Sequence, residues 1–280
     1  MRIPSVTVRA RVGSSVCVAL GLVTSAPVHG GPSNRVVLAR AAAYVDSQVD
    51  LLPQLVAEER STQTIRLRRG GTTLQQRTLV ADFAWTRLEG TLEALGVREV
   101  REVDGQAIST ARRLDRLLRG DTPGRYGAVQ ELVAESARYN LAPGSRNLNL
   151  PTMTLFLLHR DVQPRFKWRQ EEGSTRTELI LSFKERDRPT VIRGQNNEPV
   201  FSHGRIRLDP ETGQVSRTEL HADVRDAKYV LVVEFAVESA LGLLLPQRMQ
   251  EHYQTQDQIV EGLATYVNYR RFQTEGRLVR

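Results

Sequence analysis

The feature of this sequence that most constrains its fold is an alternation of apolar and polar residues with a period of two. It is longest near the C-terminus, where Tyr229, Leu231, Val233, Phe235 and Val237 occupy every second position. Successive side chains of a β-strand point to opposite faces, so this segment places its large apolar side chains on one face. One apolar face and one polar face are typical of antiparallel sheets that are covered on one side.

The same pattern recurs along the chain, and short turn-forming sequences separate the alternating segments. The turns are Gly70-Gly71, Asp104-Gly105, Glu172-Gly173, Asn196-Asn197 and residues 209–213. The last of these predicts a hairpin that joins residues 205–208 to residues 215–220. We expect roughly nine or ten strands in all, and no strand–helix–strand unit repeats, which argues against a doubly wound parallel sheet.

Two helical regions accompany the strands. Apolar residues recur at helical spacing from Val36 to about Glu59, with Pro53 near the end of the run. A helical insert is predicted at about residues 109–139, followed by a loop rich in Pro, Gly and Asn. The sequence therefore predicts an α+β fold. It would consist of a large curved antiparallel sheet, an unclosed β-barrel, with a long N-terminal helix and an inserted helical segment.

The first thirty residues are typical of a secretory signal peptide. Arg2, Arg9 and Arg11 precede an apolar stretch at residues 12–26, and small residues follow it. We expect residues 1–30 to be removed and residues 31–280 to form a single domain; two domains divided near residues 140–150 are the alternative. The predicted location is periplasmic or secreted. Cys17 is the only cysteine, so the mature chain would have no disulfide and no cysteine ligand for a metal.

Composition excludes several classes of protein. No apolar run reaches the roughly 18 residues that a membrane-spanning helix needs, so no transmembrane segment is expected after removal of the signal. The formal net charge is +7, but Arg and Glu interleave along most segments, as in residues 97–102. A nucleic-acid-binding protein would cluster its basic residues on one face, so we expect no nucleic-acid partner.

Motifs for catalysis or cofactor binding are absent from the sequence. It contains no Gly-x-Ser-x-Gly elbow, no phosphate-binding loop, no dinucleotide fingerprint and no His-Glu-x-x-His. If the turn at residues 209–213 closes in ordinary register, His203 lies opposite or diagonal to His221. Two histidines without a third ligand make a poor metal or proton-transfer site. The sequence therefore predicts no enzyme, no cofactor and no metal.

Aromatic residues are the best candidates for ligand contact. Phe83 and Trp85 share one face of a predicted strand, and Phe166 and Trp168 share one face of another. In a closed core these four side chains would fill volume. In an open, curved sheet they would line a concave apolar pocket of the kind that binds hydrophobic ligands.

Two resemblances add to these expectations. The segments at residues 135–141, 146–152, 188–193, 204–213, 242–249 and 264–272 resemble a group of uncharacterised exported proteins of soil-type bacteria. The order of elements, a long helix, two strands, a helical insert and a run of strands, is similar to the outer-membrane lipoprotein carrier (LolA-like) fold. That resemblance implies a half-barrel whose concave apolar face is covered by helices and binds lipid chains.

The sequence leaves three functions open. The first is an exported, non-enzymatic protein that binds a lipid, acyl chain or other hydrophobic ligand in the concave face of a half-barrel. The second is a cell-envelope interaction or sensory module that docks a protein partner and holds no ligand. The third is an envelope hydrolase with its active site around His203 and His221.

Overall fold

A computed structural model describes residues 32–87, 94–110, 112–119, 125–141, 149–194, 197–224 and 227–272. The predicted signal peptide lies outside the described residues, and its removal stays a prediction. The described helices are α1 (Asn34–Leu51), α2 (Arg113–Arg119), α3 (Arg125–Ala137) and α4 (Met153–Phe156).

Strands make up most of the described chain. They are β1 (Leu55–Leu67), β2 (Thr73–Arg87), β3 (Ala94–Val103), β4 (Gln106–Ala107), β5 (Phe166–Gln170), β6 (Leu179–Glu185), β7 (Ile192–Arg193), β8 (Pro199–Val200), β9 (Ser202–Leu208), β10 (Val215–Val224), β11 (Ala227–Glu238), β12 (Leu243–Gln254) and β13 (Gln258–Arg271).

Eleven of these strands form one antiparallel sheet. Its order is β4-β3-β2-β1-β13-β12-β11-β10-β9-β6-β5, while β7 and β8 pair separately. The terminal strands β4 and β5 do not pair with each other, so over the described residues the sheet is not closed into a barrel. The predicted fold class, a large antiparallel sheet with an N-terminal helix and an inserted helical segment, is confirmed.

The predicted hairpin at residues 209–213 is also confirmed, and it joins β9 to β10. The Asp209 carboxylate accepts hydrogen bonds from the backbone N–H groups of Glu211 and Thr212. Gly213 completes the turn with φ +76°, a left-handed conformation in which glycine carries no steric cost. A side chain at Gly213 would also press on α1, because an added Cβ would lie 2.5 Å from the backbone of Arg40.

The predicted N-terminal helix is shorter than its apolar spacing indicated. α1 ends at Leu51, a single 3-10 turn follows, and Leu55 begins the first strand. Pro53 explains the end of the helix, because it has no N–H to donate and its ring clashes with the preceding turn. The expectation that the helix continues to about Glu59 was therefore wrong.

One face of the sheet, called here the inner face, packs against α1. Val37, Ala41 and Val45 of this helix belong to the main hydrophobic core, together with inner-face side chains such as Leu220 and Leu231. The segment from α4 to β5 packs into the same core through Leu155, Leu157 and Leu158. The inner face is therefore largely covered, and a ligand can use only what space remains between these layers.

The helical insert packs against the β3 side of the sheet. Leu114 and Leu117 of α2 join Val129 of α3 and Val97 of β3 in a second apolar cluster. Glu99 of β3 fixes the start of α2, since its carboxylate accepts hydrogen bonds from the first two backbone N–H groups of that helix. Val97 pairs with Ala84, which alternates with the core residue Phe83, so this cluster lies on the face of the sheet opposite the inner face. Just after α3, Tyr139 packs on the inner face beside Ala81 and Val100.

Candidate functional site

A cavity of about 480 Å³ lies between the inner face of the sheet, α1, α3 and the segment at residues 149–156. The sheet contributes residues from β1, β2, β3, β12 and β13 to its wall. This volume falls within the range of roughly 300–1,000 Å³ that is usual for small-molecule sites. The cavity is the candidate functional site.

Small side chains on neighbouring strands create the floor of this cavity. Ser61 of β1 lies directly opposite Ala264 of β13, and Gly262 of β13 lies opposite Gln63 of β1. Ala81 of β2 lies opposite Glu59, the inner-face residue two positions before Ser61 in β1. Residues directly opposite each other share one face of a sheet, so Ser61, Ala81, Gly262 and Ala264 all lie on the inner face, and their small size leaves volume above them unfilled.

The remaining wall is mostly apolar. Three helical segments supply the larger side chains that surround the floor. They are Val45 and Val49 of α1 with Leu52 of the turn that follows it, Val129 and Val133 of α3, and Leu150, Met153, Leu155 and Phe156 around α4. The cavity therefore has a sheet floor of small residues beneath apolar helices.

A buried ion pair lies in the same wall. The Arg98 Nε donates to both carboxylate oxygens of Glu59, at 2.8 and 2.9 Å. The two side chains are 13% and 6% exposed, so the pair is shielded from water. Arg98 Nη2 also donates to the carbonyl of Asn149 at 2.8 Å, and the guanidinium lies 4.7 Å from the centre of the Phe83 ring. Arg98 therefore connects β1, β2, β3 and the segment that covers the cavity.

The electrostatics of this pair favour two charged groups. Burial by itself lowers the pKa of Arg98, but Glu59, Tyr266 and Glu251 together outweigh it and raise the pKa above its ordinary value. Burial and the Glu59 carboxylate raise the pKa of Tyr266, which pairs with Glu59 across β1 and β13. The wall thus holds a neutralised ion pair and a further buried carboxyl group, that of Glu251, and the phenol of Tyr266 beside them stays neutral.

Phe83 and Trp85, two of the four aromatic residues predicted to contact a ligand, lie in the packed core. Both are completely buried and contact each other edge to face, with ring centroids 4.7 Å apart. Neither belongs to the wall of the cavity. Trp85 does lie one side chain away from it, because its indole N–H donates to the hydroxyl of Thr152, which lines the cavity.

The other two, Phe166 and Trp168, lie at the far end of the sheet on its edge strand β5. They contact each other and Phe183 of β6, forming an aromatic cluster separate from that of Phe83 and Trp85. They also lie outside the cavity wall. The structure therefore does not bring the four predicted residues together, and their direct contact with a ligand stays a prediction.

The expected proximity of the two histidines is confirmed. His203 and His221 are directly opposite on β9 and β10, and their rings stack with centroids 5.1 Å apart. His221 Nε2 lies 2.6 Å from a carboxylate oxygen of Glu219. Because the alternate positions Gly204 and Leu220 are buried on the inner face, the histidines lie on the opposite face, away from the cavity.

The described residues offer neither a metal-binding cluster nor a helix that could span a membrane. Among the described residues, no group of three or more His, Cys, Asp or Glu side chains is arranged to hold a metal ion. No helix in the described part of the chain is both long enough and apolar enough to cross a membrane.

Comparison with known proteins yields structural neighbours only. No protein-family model and no curated protein matches the chain. The chain is similar to the crystal structure of a DUF1329 family protein from Desulfovibrio piger, with 11% identity over 85% of this chain and 92% of that chain, and a TM-score of 0.37. It is also similar to a LolA superfamily protein from Nitrosomonas europaea, with 10% identity over 83% of this chain and 94% of that chain, and a TM-score of 0.32.

A LolA superfamily structure thus appears among the neighbours, as the sequence resemblance led us to expect. Because both TM-scores are low, the fold class rests on the strand order and helix positions of this chain. The cavity is likewise described from its own residues.

The residues that form the cavity were not predicted from the sequence, because the prediction of ligand contact concerned large aromatic side chains only. The informative pattern was the opposite one. In β13, the positions facing inward include Gly262 and Ala264 before Tyr266, so small residues interrupt a face that is elsewhere bulky. Only the pairing of β13 with β1 shows that Ser61 lies beside them.

Proposed function

We propose that this protein is an exported, non-enzymatic carrier that binds a lipid, acyl chain or other hydrophobic ligand in the cavity. The observation that carries the proposal is an apolar-walled space of about 480 Å³ between the sheet and its helices. Apolar surface that leaves water on binding supplies most of the affinity for such a ligand. The proposal places ligand contact on the small-residue floor and the helices, and the two aromatic clusters act as the packed frame around it.

Blocking the cavity tests the proposal. Val133 lies on α3, lines the cavity and is half-buried, so Val133→Trp should fill the space with an indole. Glu131→Trp is the matched control, because Glu131 is an exposed residue on the same helix and lies outside the cavity wall. We expect wild type and Glu131→Trp to bind the fluorescent probe N-phenyl-1-naphthylamine, and Val133→Trp to lose binding while keeping its circular dichroism spectrum.

A second measurement identifies natural cargo. Native mass spectrometry of protein from a detergent-free periplasmic extract should show a bound species in wild type that Val133→Trp lacks. Equal probe binding by both tryptophan variants would remove the cavity as the site. A wild-type protein that binds neither probe nor lipid would sink the carrier proposal and favour the docking module.

A further inference from the structure

Gln48 is a polar residue on the cavity side of α1. It lines the cavity together with Val45, Val49 and Leu52, which lie three, one and four residues away. These spacings place the four side chains on one side of the helix, where a core-facing position is normally apolar. Gln48 is only 8% exposed, and the part that stays accessible includes its carboxamide, which faces the space of the cavity.

The side-chain amide of Gln48 makes no hydrogen bond to any of the described residues, although it lines a cavity. An amide that borders a cavity without a protein partner needs water or a bound group as its hydrogen-bond partner, whereas an apolar side chain of similar size would not. A carboxamide has two N–H donors and one oxygen acceptor, so it can form a hydrogen bond with either an acceptor or a donor on a bound molecule. Ser61, on the cavity floor, adds a hydroxyl to the same wall.

The charges of the wall disfavour an anion. The buried cation, Arg98, is neutralised by the bidentate contact with Glu59 and also donates to Asn149. Arg193, the other cation among the described lining residues, is exposed and donates to Asn197. An ionised carboxylate in the cavity would therefore lose its hydration without gaining a buried cation of its own.

We propose that the cavity selects an amphiphile whose polar group is uncharged, a carboxamide or a hydroxyl, over the ionised carboxylate of the same chain length. Gln48 is the specificity-determining residue, because it hydrogen-bonds that group within the apolar wall. This inference rests on the proposed carrier function.

Competition between matched amphiphiles tests the preference. Decanamide, decan-1-ol and decanoate share one chain length, and at about pH 8 decanoate is ionised. We expect decanamide to displace N-phenyl-1-naphthylamine from wild type at about tenfold lower concentration than decanoate, the ratio expected of one buried hydrogen bond. Decan-1-ol should fall between them, since its hydroxyl makes fewer hydrogen bonds.

Gln48→Leu should bind the apolar probe as wild type does but bind decanamide about tenfold more weakly, while its affinity for decanoate, which the charges of the wall already disfavour, stays unchanged. Gln54→Leu is the matched control, because Gln54 is exposed just beyond the same helix. If the leucine variant does not fold, Gln48→Met supplies the same apolar replacement with an unbranched side chain.

The outcomes separate the two proposals. Probe binding that Val133→Trp abolishes, combined with equal affinity for decanamide and decanoate, would overturn the role of Gln48 and leave the carrier function standing. An unchanged preference in Gln48→Leu would do the same. Absence of probe binding in wild type would instead remove the carrier function itself.

Discussion

Replacing Arg98 with methionine tests how the wall of the cavity is held together. Methionine keeps most of the length of the side chain and removes the charge. The change leaves the Glu59 carboxylate, which is 6% exposed, without the cation that contacts both of its oxygens. It also removes the hydrogen bond to the carbonyl of Asn149, which anchors the segment covering the cavity.

The expected magnitude follows from burial. Removing one partner of a buried ion pair costs about 3–5 kcal/mol, because the remaining charge stays in a poorly solvating environment. Losing a single hydrogen bond to a backbone carbonyl adds about 1 kcal/mol. We therefore expect Arg98→Met to lower the free energy of unfolding by about 4–6 kcal/mol. An exposed ion pair would contribute no more than about 1 kcal/mol.

A double-mutant cycle isolates the pair. Glu59→Leu removes the carboxylate, and the double variant Glu59→Leu with Arg98→Met replaces both charges by apolar groups. We expect the double variant to be more stable than Arg98→Met alone, with a coupling energy of about 2–3 kcal/mol. Urea unfolding followed by circular dichroism and tryptophan fluorescence gives the values, and coincident transitions support a two-state analysis.

The reasoning is refuted if Arg98→Met costs less than about 1 kcal/mol and the coupling energy is near zero. That result would mean that the carboxylate of Glu59 is solvated in the folded protein. The cavity wall would then be far wetter than its burial indicates.

Two further predictions concern other parts of the fold. Gly213→Ala should destabilise the protein by at least about 2 kcal/mol in urea unfolding. The reason is that φ at this position is +76° and the added Cβ would lie 2.5 Å from the backbone of Arg40. A variant as stable as wild type would contradict the close packing of α1 on this turn. Burial and then neighbouring His221 lower the pKa of His203 from 6.5, so the folded state prefers the neutral ring. The stability that depends on neutral His203 is complete above pH 6.5 and is lost as pH falls through the lowered pKa. His203→Asn should therefore lose less stability than wild type as the pH falls below 6.5, and parallel curves for the two proteins would count against a lowered pKa of His203.

Local sequence patterns predicted much of the fold. The alternation in β11 and the Asp209–Gly213 turn depend on neighbours in the chain, and both were correctly predicted except at Val237, which is 64% exposed and does not join the buried face of β11. The end of α1 was not, because Leu55 and Val56 fit a helical spacing and a strand equally well. Their pairing with β13, more than two hundred residues later, places them in the sheet.

The cavity was harder to predict than the fold, for a physical reason. A pocket is defined by volume that side chains leave unfilled, and that volume depends on which strands become neighbours. Ser61 and Ala264 are unremarkable in their own segments and form one floor only after β1 pairs with β13. Gln48 could have been noted at the sequence level as a polar residue within an apolar helical stripe, a pattern that marks either a cap, a buried polar contact or a binding group.

The pairing of the first strand with the last has a consequence for how the protein matures. β1 begins at Leu55 and its partner β13 extends to Arg271. The two strands that meet in the middle of the sheet are therefore synthesised, and would pass any export channel, more than two hundred residues apart. Contacts so distant in sequence form late and slowly. Until they form, the apolar inner faces of β1 and β2 are uncovered, which favours aggregation. The same pairing that forms the floor of the cavity therefore leaves the nascent chain open to aggregation until its C-terminal strand has been made.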